Sequence, residues 1–520
     1  MRRALSIPRG NGEALVEPPL AEWRSLVQRT ASAARSWETP VGGVPLRALR
    51  EQAREEALRL STRTCERLGV SWAEPVQPAA PIVMTGHQPE LFHPGVWAKH
   101  FAVQRYVDEN GGNALELVVD SDRCGTLALR VPCVRERVRR HDVVLADGGD
   151  ACYACVPAPS RDAVERFVRE AVICAETLPV AGPGERLARF AGCLRDAASC
   201  TANLAETVVA ARRAYERPAG TTYGEVFVSE QSATPGFLTF AAHLVSEARR
   251  FAEVFNEEVR AYRARWRVRS AAHPFPELHV EGGAVEVPLW ALVDGTRRAI
   301  AFEPEDGVLR VQGSGILRAG SDPREIFRAI ADSGLKIVPR AVSLTMFQRL
   351  CVADLFVHGI GGSKYEVITD RVIERWLGIS PPPYAVVSLT MRLPVGVASS
   401  SEEELSALRH ALHVAKHNPD KLLKEAWTGA PLDQDAIEEL VERKQQLVAE
   451  AAAPGADKRA IGEAIREVNA KLRTAIEPLV SEIEQRIERL EASRQEHEAF
   501  SDRECSFPLF DPLEVAEAVG

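Results

Sequence analysis

The chain begins with hydrophobic residues at helical spacing, and short apolar runs that end in polar loops follow. Hydrophobic positions in residues 1–75 recur at helical spacing and predict an N-terminal helical segment. Residues 82–84 predict a buried strand, and Pro94 predicts the first turn of the next helix, where a missing N–H costs nothing. Residues 117–119 predict a second buried strand. We therefore assign residues 76–160 to the first half of a Rossmann-like α/β core.

The hydrophobic period then changes twice. Helical spacing over residues 161–272 predicts a helical connective insertion. Over residues 273–400, short apolar runs alternate with Asp294-Gly295 and Asp306-Gly307, dipeptides that accept the positive φ of tight hairpin turns. These runs predict a three-strand antiparallel meander, followed by the second half of the core.

Helix-forming residues dominate residues 401–500, and their apolar positions follow an eleven-residue repeat. This pattern predicts an antiparallel coiled-coil hairpin whose helices are separated by Pro454-Gly455, with a kink at Pro478. Such a stripe, which includes Leu472, must be covered within the chain or by a second copy, so a homodimer through the hairpin is one expectation. Residues 501–520 are apolar enough to form a tail that docks on the core.

The amino-acid composition and net charge of the chain exclude some classes of protein. A chain of 520 residues, 45% of them hydrophobic, exceeds what one core usually organises, so two or three domains are expected. The net charge of −9 gives no basic footprint for nucleic acid. Apolar runs stay short of the roughly eighteen residues that a membrane span needs, so we expect a cytoplasmic protein without a membrane partner. Ten scattered cysteines do not form a disulfide framework.

The loop after the first predicted strand carries the strongest candidate chemistry. His87, Gln88 and His93 lie between a strand end and a helix start, where exposed N–H groups favour anionic ligands. The alternative is a structural loop with surface histidines. Because the loop lies outside the apolar run, replacing either histidine by alanine is expected to change stability little.

Two further loops carry polar candidates. Asp120 and Asp122 follow the second predicted strand, and Gly361, Gly362 and Lys364 precede a predicted helix. A glycine-rich turn exposes N–H groups to phosphate or carboxylate oxygens, although this spacing fits neither a Walker A loop nor the dinucleotide fingerprint. The alternative is a tight turn with a solvated lysine. Cys152 and Cys155 have no second pair at zinc-site spacing, so no metal site is expected.

Several of these residues resemble the motifs of the bacillithiol-biosynthesis cysteine-adding enzymes, the BshC family. The opening motif of that family is matched by Thr85, Gly86, Gln88, Pro89, Phe92 and Gly95. The acidic cluster of the family corresponds to residues 120–122, which lack its histidine. A later motif corresponds to Gln348, Gly361, Gly362 and Tyr365. The resemblance implies a Rossmann-like nucleotidyltransferase-type core with a helical insertion and a C-terminal coiled coil.

The resemblance also implies a bacillithiol-synthase-like ligase that joins an amino acid, such as cysteine, to an amine-bearing metabolite or sugar conjugate. His87 or Asp120 would be the general base that deprotonates the attacking amine, and His93 would assist catalysis. A nucleotide such as ATP or ADP is a candidate cofactor. The residues expected to bind the small-molecule substrate are Thr85, Gly86, Gln88, Asp122, Gly361, Gly362, Lys364 and Tyr365.

Two other functions fit the same sequence. The piece that begins at His93 resembles half of the His-x-Gly-His signature of class I nucleotidyltransferases, with Val96 in the last position. In that alternative, His93 and Lys364 would act on phosphates. The second alternative is a non-catalytic coiled-coil scaffold whose helical hairpin binds partners.

Overall fold

The structure is a computed structural model that describes residues 5–75, 77–134, 138–394, 402–422 and 432–520, without the side chains of residues 495–498. Its strands, in chain order, are β1 (Glu13–Glu17), β2 (Pro40–Val41), β3 (Val44–Pro45), β4 (Ile82–His87), β5 (Asn113–Val118), β6 (Arg123–Val134), β7 (Val138–Cys152), β8 (Gly224–Phe227), β9 (Val280–Glu281), β10 (Ala284–Val293), β11 (Thr296–Glu303), β12 (Val308–Val311), β13 (Gly315–Arg318), β14 (Ile337–Pro339), β15 (Leu355–His358) and β16 (Tyr384–Thr390).

The helices surround and connect these strands. They are α1 (Leu20–Ala34), α2 (Leu46–Leu68), α3 (Pro94–Asn110), α4 (Arg161–Glu176), α5 (Pro183–Cys200), α6 (Leu204–Glu216), α7 (Val228–Gln231), α8 (Pro235–Ser246), α9 (Ala248–Trp266), α10 (Pro323–Ser333), α11 (Ala341–Phe347), α12 (Ile360–Ser363), α13 (Glu366–Leu377), α14 (Glu402–His417), α15 (Pro419–Leu422), α16 (Gln434–Ala451), α17 (Lys458–Ala475), α18 (Glu477–Phe500) and α19 (Pro512–Ala518). Among the described residues, none of these helices combines the length and apolar character that crossing a bilayer requires.

The chain forms two compact units. Unit 1 comprises Met1–Cys133, Arg140–Leu393 and Arg503–Gly520, and unit 2 comprises Val134–Arg139 and Pro394–Asp502. Unit 1 contains the parallel sheet and most of the antiparallel sheet, whereas unit 2 is mainly helical. The protein is therefore a mixed α/β protein with a separate helical unit.

The central sheet of unit 1 has the strand order β1-β16-β15-β4-β5-β8. All neighbours from β16 to β8 are parallel, and β1 is an antiparallel edge strand beside β16. Numbered among themselves, the parallel strands lie in the order 3-2-1-4-5, which is the order of a doubly wound sheet. The order reverses between β4 and β15, so a ligand site is expected at the carboxyl ends of these strands.

Two residues of the predicted opening motif help to build this sheet. The buried Thr85 hydroxyl donates to Val357 O at 2.8 Å, which ties β4 to β15. A Cβ on Gly86 would lie 3.0 Å from both Cβ and O of Leu117 on β5. Both residues therefore have structural roles in strand packing, and their predicted contact with a substrate stays a prediction.

The second sheet is largely antiparallel and follows the order β13-β12-β11-β10-β14. The predicted meander is confirmed as β10, β11 and β12, and the structure adds β13 as a fourth strand. Asp294 and Gly295 adopt φ values of 49° and 74° at the turn between β10 and β11. This is the positive-φ conformation that an Asp-Gly dipeptide favours.

Two strands of the central sheet lie in segments that were predicted to be helical. β8 belongs to residues 161–272, which the sequence analysis treats as a helical insertion, and β1 belongs to the predicted N-terminal helical segment. β8 has only four residues, and one of them is the fully buried Glu225. Residues 226–228 form an apolar run, but they lie inside a stretch with helical periodicity, so the strand was not predicted.

Unit 2 contains α14 to α18, among which α16 packs against α17 and α14 packs against α18. Its core includes Leu447, Leu472 and Ile483, which are 3%, 0% and 1% exposed. The apolar stripe is therefore covered within the chain at these positions, which the sequence left open. The predicted antiparallel coiled-coil hairpin stays a prediction.

The single long last helix of the prediction is instead two helices. α17 ends at Ala475, and α18 begins at Glu477 with Pro478 in its first turn. Proline lacks the N–H that a continuous helix would use there. The expected disruption at Pro478 therefore takes the form of a helix boundary.

Candidate functional site

β4 ends at His87 and Gln88 follows it, so both residues lie at the carboxyl end of the sheet. Together with Glu116 and Arg212 they line a small cavity of about 10 Å3. That volume is close to the space required by one water molecule. The histidine loop therefore encloses a water-sized cavity, which is too small for a substrate.

His87 is poorly suited to the predicted role of general base. Burial, followed by repulsion from Lys99, lowers its pKa to about 3. Its Nδ1 lies 3.1 Å from Gln88 O, and its ring contacts Phe92 edge-on with centroids 5.3 Å apart. The imidazole is therefore neutral at pH 7, and it is too weak a base to take a proton efficiently from the attacking amine.

His93 is the N-cap of α3. Its Nδ1 accepts a hydrogen bond from Gly95 N at 3.0 Å, and its Nε2 lies 3.5 Å from Glu504 Oε2. Burial, followed by repulsion from Arg503, lowers the pKa of His93 to about 3. The ring therefore satisfies a helix N–H, and this corrects the expectation that replacing His93 leaves stability nearly unchanged.

Gln88 connects the first two strand-end loops. Its Nε2 donates to Asp122 Oδ2 at 2.9 Å, while the other carboxylate oxygen of Asp122 pairs with Arg297. Arg297 is the second residue of β11, which follows the Asp294-Gly295 turn. Gln88, Asp122 and Arg297 therefore link the parallel sheet to the antiparallel sheet.

Asp120 is the most perturbed acid at these strand ends. It follows β5, is 1% exposed, and accepts a hydrogen bond from Ser229 N to Oδ1 at 2.9 Å. The Ser229 hydroxyl donates to its other oxygen, Oδ2. Burial raises the pKa of Asp120 to about 7, although both hydrogen bonds from Ser229 oppose that shift. Asp120 is therefore able to take up or release a proton near neutral pH.

Asp120 and Ser229 line a large cleft of about 1140 Å3 in unit 1. Residues of both sheets and of α10 contribute to its walls. The charged residues in its lining are Asp120, Glu206, Glu230, Asp294 and Lys336. Four carboxyl groups and one ammonium make this cleft more suitable for a cationic ligand than for a phosphate.

Two glutamates that line the cleft, Glu206 and Glu230, both form ion pairs with Arg67. Arg67 Nη2 lies 2.6 Å from Glu230 Oε1, and Arg67 Nε lies 3.3 Å from Glu206 Oε1. The Thr64 hydroxyl also donates to Glu230 Oε2 at 3.3 Å. Ala202 N donates to the other oxygen of Glu206 at 3.0 Å, so these contacts fix both glutamates in place.

The predicted glycine turn follows β15, the strand beside β4. Gly361 and Gly362 lie in the short helix α12 rather than in a positive-φ turn, and both are exposed, as is Lys364. Tyr365 packs against Phe275 with ring centroids 5.4 Å apart, so it has a structural partner. The linings of the small cavity and of the large cleft do not include this segment.

The structure thus divides the predicted site residues among three places. His87 and Gln88 border the small cavity, Asp120 lies in the large cleft, and Gly361 lies at the end of β15. The sequence analysis did not select Ser229, Glu206 or Glu230. Ser229 follows an apolar run, the signal that identified Asp120, but that run lies inside a stretch with helical periodicity.

Comparisons with known proteins give little further guidance. No protein family model matches the chain, and no curated protein matches it. One matching solved structure is a tyrosyl-tRNA synthetase from Aeropyrum pernix, with 11% sequence identity and a TM-score of 0.19. The match covers 82% of this chain and 99% of the synthetase chain. A likeness at this TM-score does not establish a shared fold.

Proposed function

We propose that the protein is a bacillithiol-synthase-like ligase, which joins an amino acid to an amine-bearing small molecule in the cleft of Asp120. The observation that carries this proposal is a buried carboxyl group, with its pKa raised to about 7, in a cleft with three further carboxyl groups. The motif resemblance and the doubly wound order of the parallel strands support it.

The chemistry assigns a different task to each residue. An ammonium group must lose a proton before it can attack an activated carbonyl carbon, where the new C–N bond replaces the bond to the activating group, which leaves. The Asp120 carboxylate is the base for the proton. Ser229 holds both oxygens of Asp120 and thus fixes the direction from which the proton arrives. Glu206 and Glu230 attract the cationic substrate, and the exposed ammonium of Lys336 suits the carboxylate of the amino acid.

The predicted nucleotide, ATP or ADP, has a candidate place outside this cleft. Gly361, Gly362 and Lys364 follow β15 at the reversal of strand order, and a Cβ on Gly361 would meet no atom within 4 Å. The open backbone and the exposed cation fit a phosphate group. A nucleotide bound there would place a phosphate group beside Lys364.

The two alternative functions have less support. In the nucleotidyltransferase alternative His93 contacts phosphate, yet its ring is used to cap α3. In the scaffold alternative the apolar stripe binds partners, yet Leu472 and Ile483 are buried in the core of unit 2. The ligase proposal uses residues whose side chains face an open cleft.

The test is to search for the product. Purified protein is incubated with amino acids and an amine-bearing sugar conjugate, with and without ATP, and new amide products are identified by mass spectrometry. We expect a product with wild type and with the exposed-site control Asp196→Asn, and a loss of at least about a hundredfold with Asp120→Asn, as for other general bases. A product formed equally well by Asp120→Asn would refute the assignment of the base.

A further inference from the structure

Two cysteine thiols lie in direct contact beside the large cleft. β7 ends at Cys152, and a 3₁₀ turn over Tyr153–Cys155 follows. Cys152 Sγ donates to Cys155 Sγ at 3.0 Å, and both cysteines are free thiols. Formation of a disulfide requires a sulfur separation of about 2.05 Å, so the sulfurs need to approach by only about 1 Å.

The backbone of this turn is fixed to the strand-end loop that carries the candidate base. Ala154 N donates to Asp120 O at 3.0 Å, and Tyr153 N donates to Asp122 O at 3.1 Å. Cys152 N donates to Gly295 O at 2.9 Å. The backbone that carries the two sulfurs is therefore fixed by hydrogen bonds to two segments of unit 1, the loop after β5 and the turn between β10 and β11.

The two thiols differ in their access to solvent. Cys155 is exposed and lines the large cleft, whereas Cys152 is buried. A Cβ on Gly295 would lie 3.1 Å from Cys155 Cβ, so the glycine leaves space beside the exposed thiol. Burial, followed by the hydrogen bond to Cys155, raises the pKa of Cys152 to about 12. Cys155 is therefore the attacking thiol, which reacts first with an incoming reagent, and Cys152 is the resolving thiol.

We propose that Cys155 and Cys152 form a thiol–disulfide exchange site for amine-bearing, low-molecular-weight disulfides. The acidic residues Glu206, Glu230 and Asp294 line the same cleft as Cys155 and select a cationic reagent. This inference goes beyond the proposed ligase activity and does not depend on it.

The exchange proceeds in two balanced steps. The Cys155 thiolate attacks one sulfur of the disulfide RSSR, the S–S bond breaks, and one RS⁻ leaves. Cys152 then attacks Cys155 Sγ, a second RS⁻ leaves, and the departing thiolates take up the two protons that the protein thiols have lost. The protein is thereby oxidised to the Cys152–Cys155 disulfide, and RSSR is reduced to two molecules of RSH.

The test compares two probes at low salt, cystamine as the cationic disulfide and oxidised glutathione as the anionic one. We expect wild type to lose two hydrogen atoms in intact mass, and peptide mapping to locate the bond between Cys152 and Cys155. Cystamine should react about tenfold faster, and the ratio should fall at high salt. The exposed Cys200 provides an internal control for ordinary thiol reactivity.

Variants separate the two roles. Cys152→Ser should retain the mixed disulfide on Cys155, and Cys155→Ser should form neither product at these positions. If wild type accumulates the mixed disulfide on Cys155, as Cys152→Ser is expected to do, the proposal is wrong. Equal rates with both probes would also overturn it, and so would a Cys155 that reacts no faster than Cys200. These measurements on wild type do not depend on whether either variant folds.

Discussion

Ser229 donates hydrogen bonds to both carboxyl oxygens of Asp120, one from its backbone N at 2.9 Å and one from its hydroxyl. Asp120 follows β5 and Ser229 follows β8, so these bonds join the ends of neighbouring parallel strands. Burial outweighs the two bonds and raises the pKa of Asp120 from 3.8 to about 7. A carboxyl group that titrates near neutral pH is therefore held at a fixed position in the cleft.

The raised pKa predicts a pH-dependent stability. The native state holds a proton on Asp120 that the unfolded chain releases above its own pKa of 3.8. The favourable contribution is thus complete below that value and is lost as the pH rises through about 7. Between these limits Asp120 should lower the free energy of unfolding by at most about 1.4 kcal/mol per pH unit.

Denaturant unfolding of wild type and Asp120→Asn over this pH range measures that contribution. The neutral amide lacks the titration, so the variant should gain stability relative to wild type as the pH rises. A constant difference between the two proteins across the range would contradict the raised pKa.

Removing the hydroxyl of Ser229 should raise the pKa of Asp120 further. Ser229→Ala keeps the backbone N–H bond but removes a hydrogen bond to the charged carboxylate, an interaction worth about 1.5–3 kcal/mol. The Asp120 carboxyl resonance in NMR should then titrate at least about one pH unit higher than in wild type. Ser229→Thr keeps a hydroxyl and should titrate close to wild type, and an unchanged Ser229→Ala titration would argue against the hydrogen bond.

The sequence located the candidate base but not its surroundings. Asp120 directly follows an apolar run, and that pattern is visible in a single segment. Ser229 and Glu230 reach the cleft through β8, whose four residues include the buried Glu225. The charge of Glu225 is balanced by Arg212, and such long-range compensation leaves no periodic signal in the sequence.

The environments of the two histidines were not visible in the sequence for a related reason. The strand and helix on either side of the loop were identified correctly, because Pro94 and the apolar run are local signals. The burial of both histidines depends on packing by residues that are distant in the sequence. One such residue is Phe507, whose N donates to Phe92 O at 2.8 Å.

Loss of the His93 cap should destabilise α3. His93→Ala leaves the N–H of Gly95 without its side-chain acceptor, which should lower the free energy of unfolding by about 1 kcal/mol. His93→Asn supplies another acceptor and should recover most of the loss. Thermal unfolding of both variants beside His410→Ala, an exposed histidine on α14, measures the effect. A His93→Ala protein as stable as His410→Ala would show that the cap is dispensable.

The core of unit 2 should depend on Leu472. This side chain is fully buried, so Leu472→Ala should cost about 2–5 kcal/mol through lost burial and a residual cavity. Val448 is 54% exposed on α16, and Val448→Ala is the matched control with an expected cost within about 0.5 kcal/mol. Hydrogen exchange of α16 and α17 locates the effect, and equal protection in both variants would contradict a buried position for Leu472.

The contact between Phe92 and Phe507 has a consequence for synthesis on the ribosome. The two rings lie 5.5 Å apart within unit 1, yet about 400 residues separate them along the chain, including most of unit 2. At about 5–20 residues per second, the strand β4 emerges roughly 20–80 s before the segment that covers its loop. The helical unit is complete within that interval, so the loop of His87 and His93 is among the last parts of the protein to become ordered.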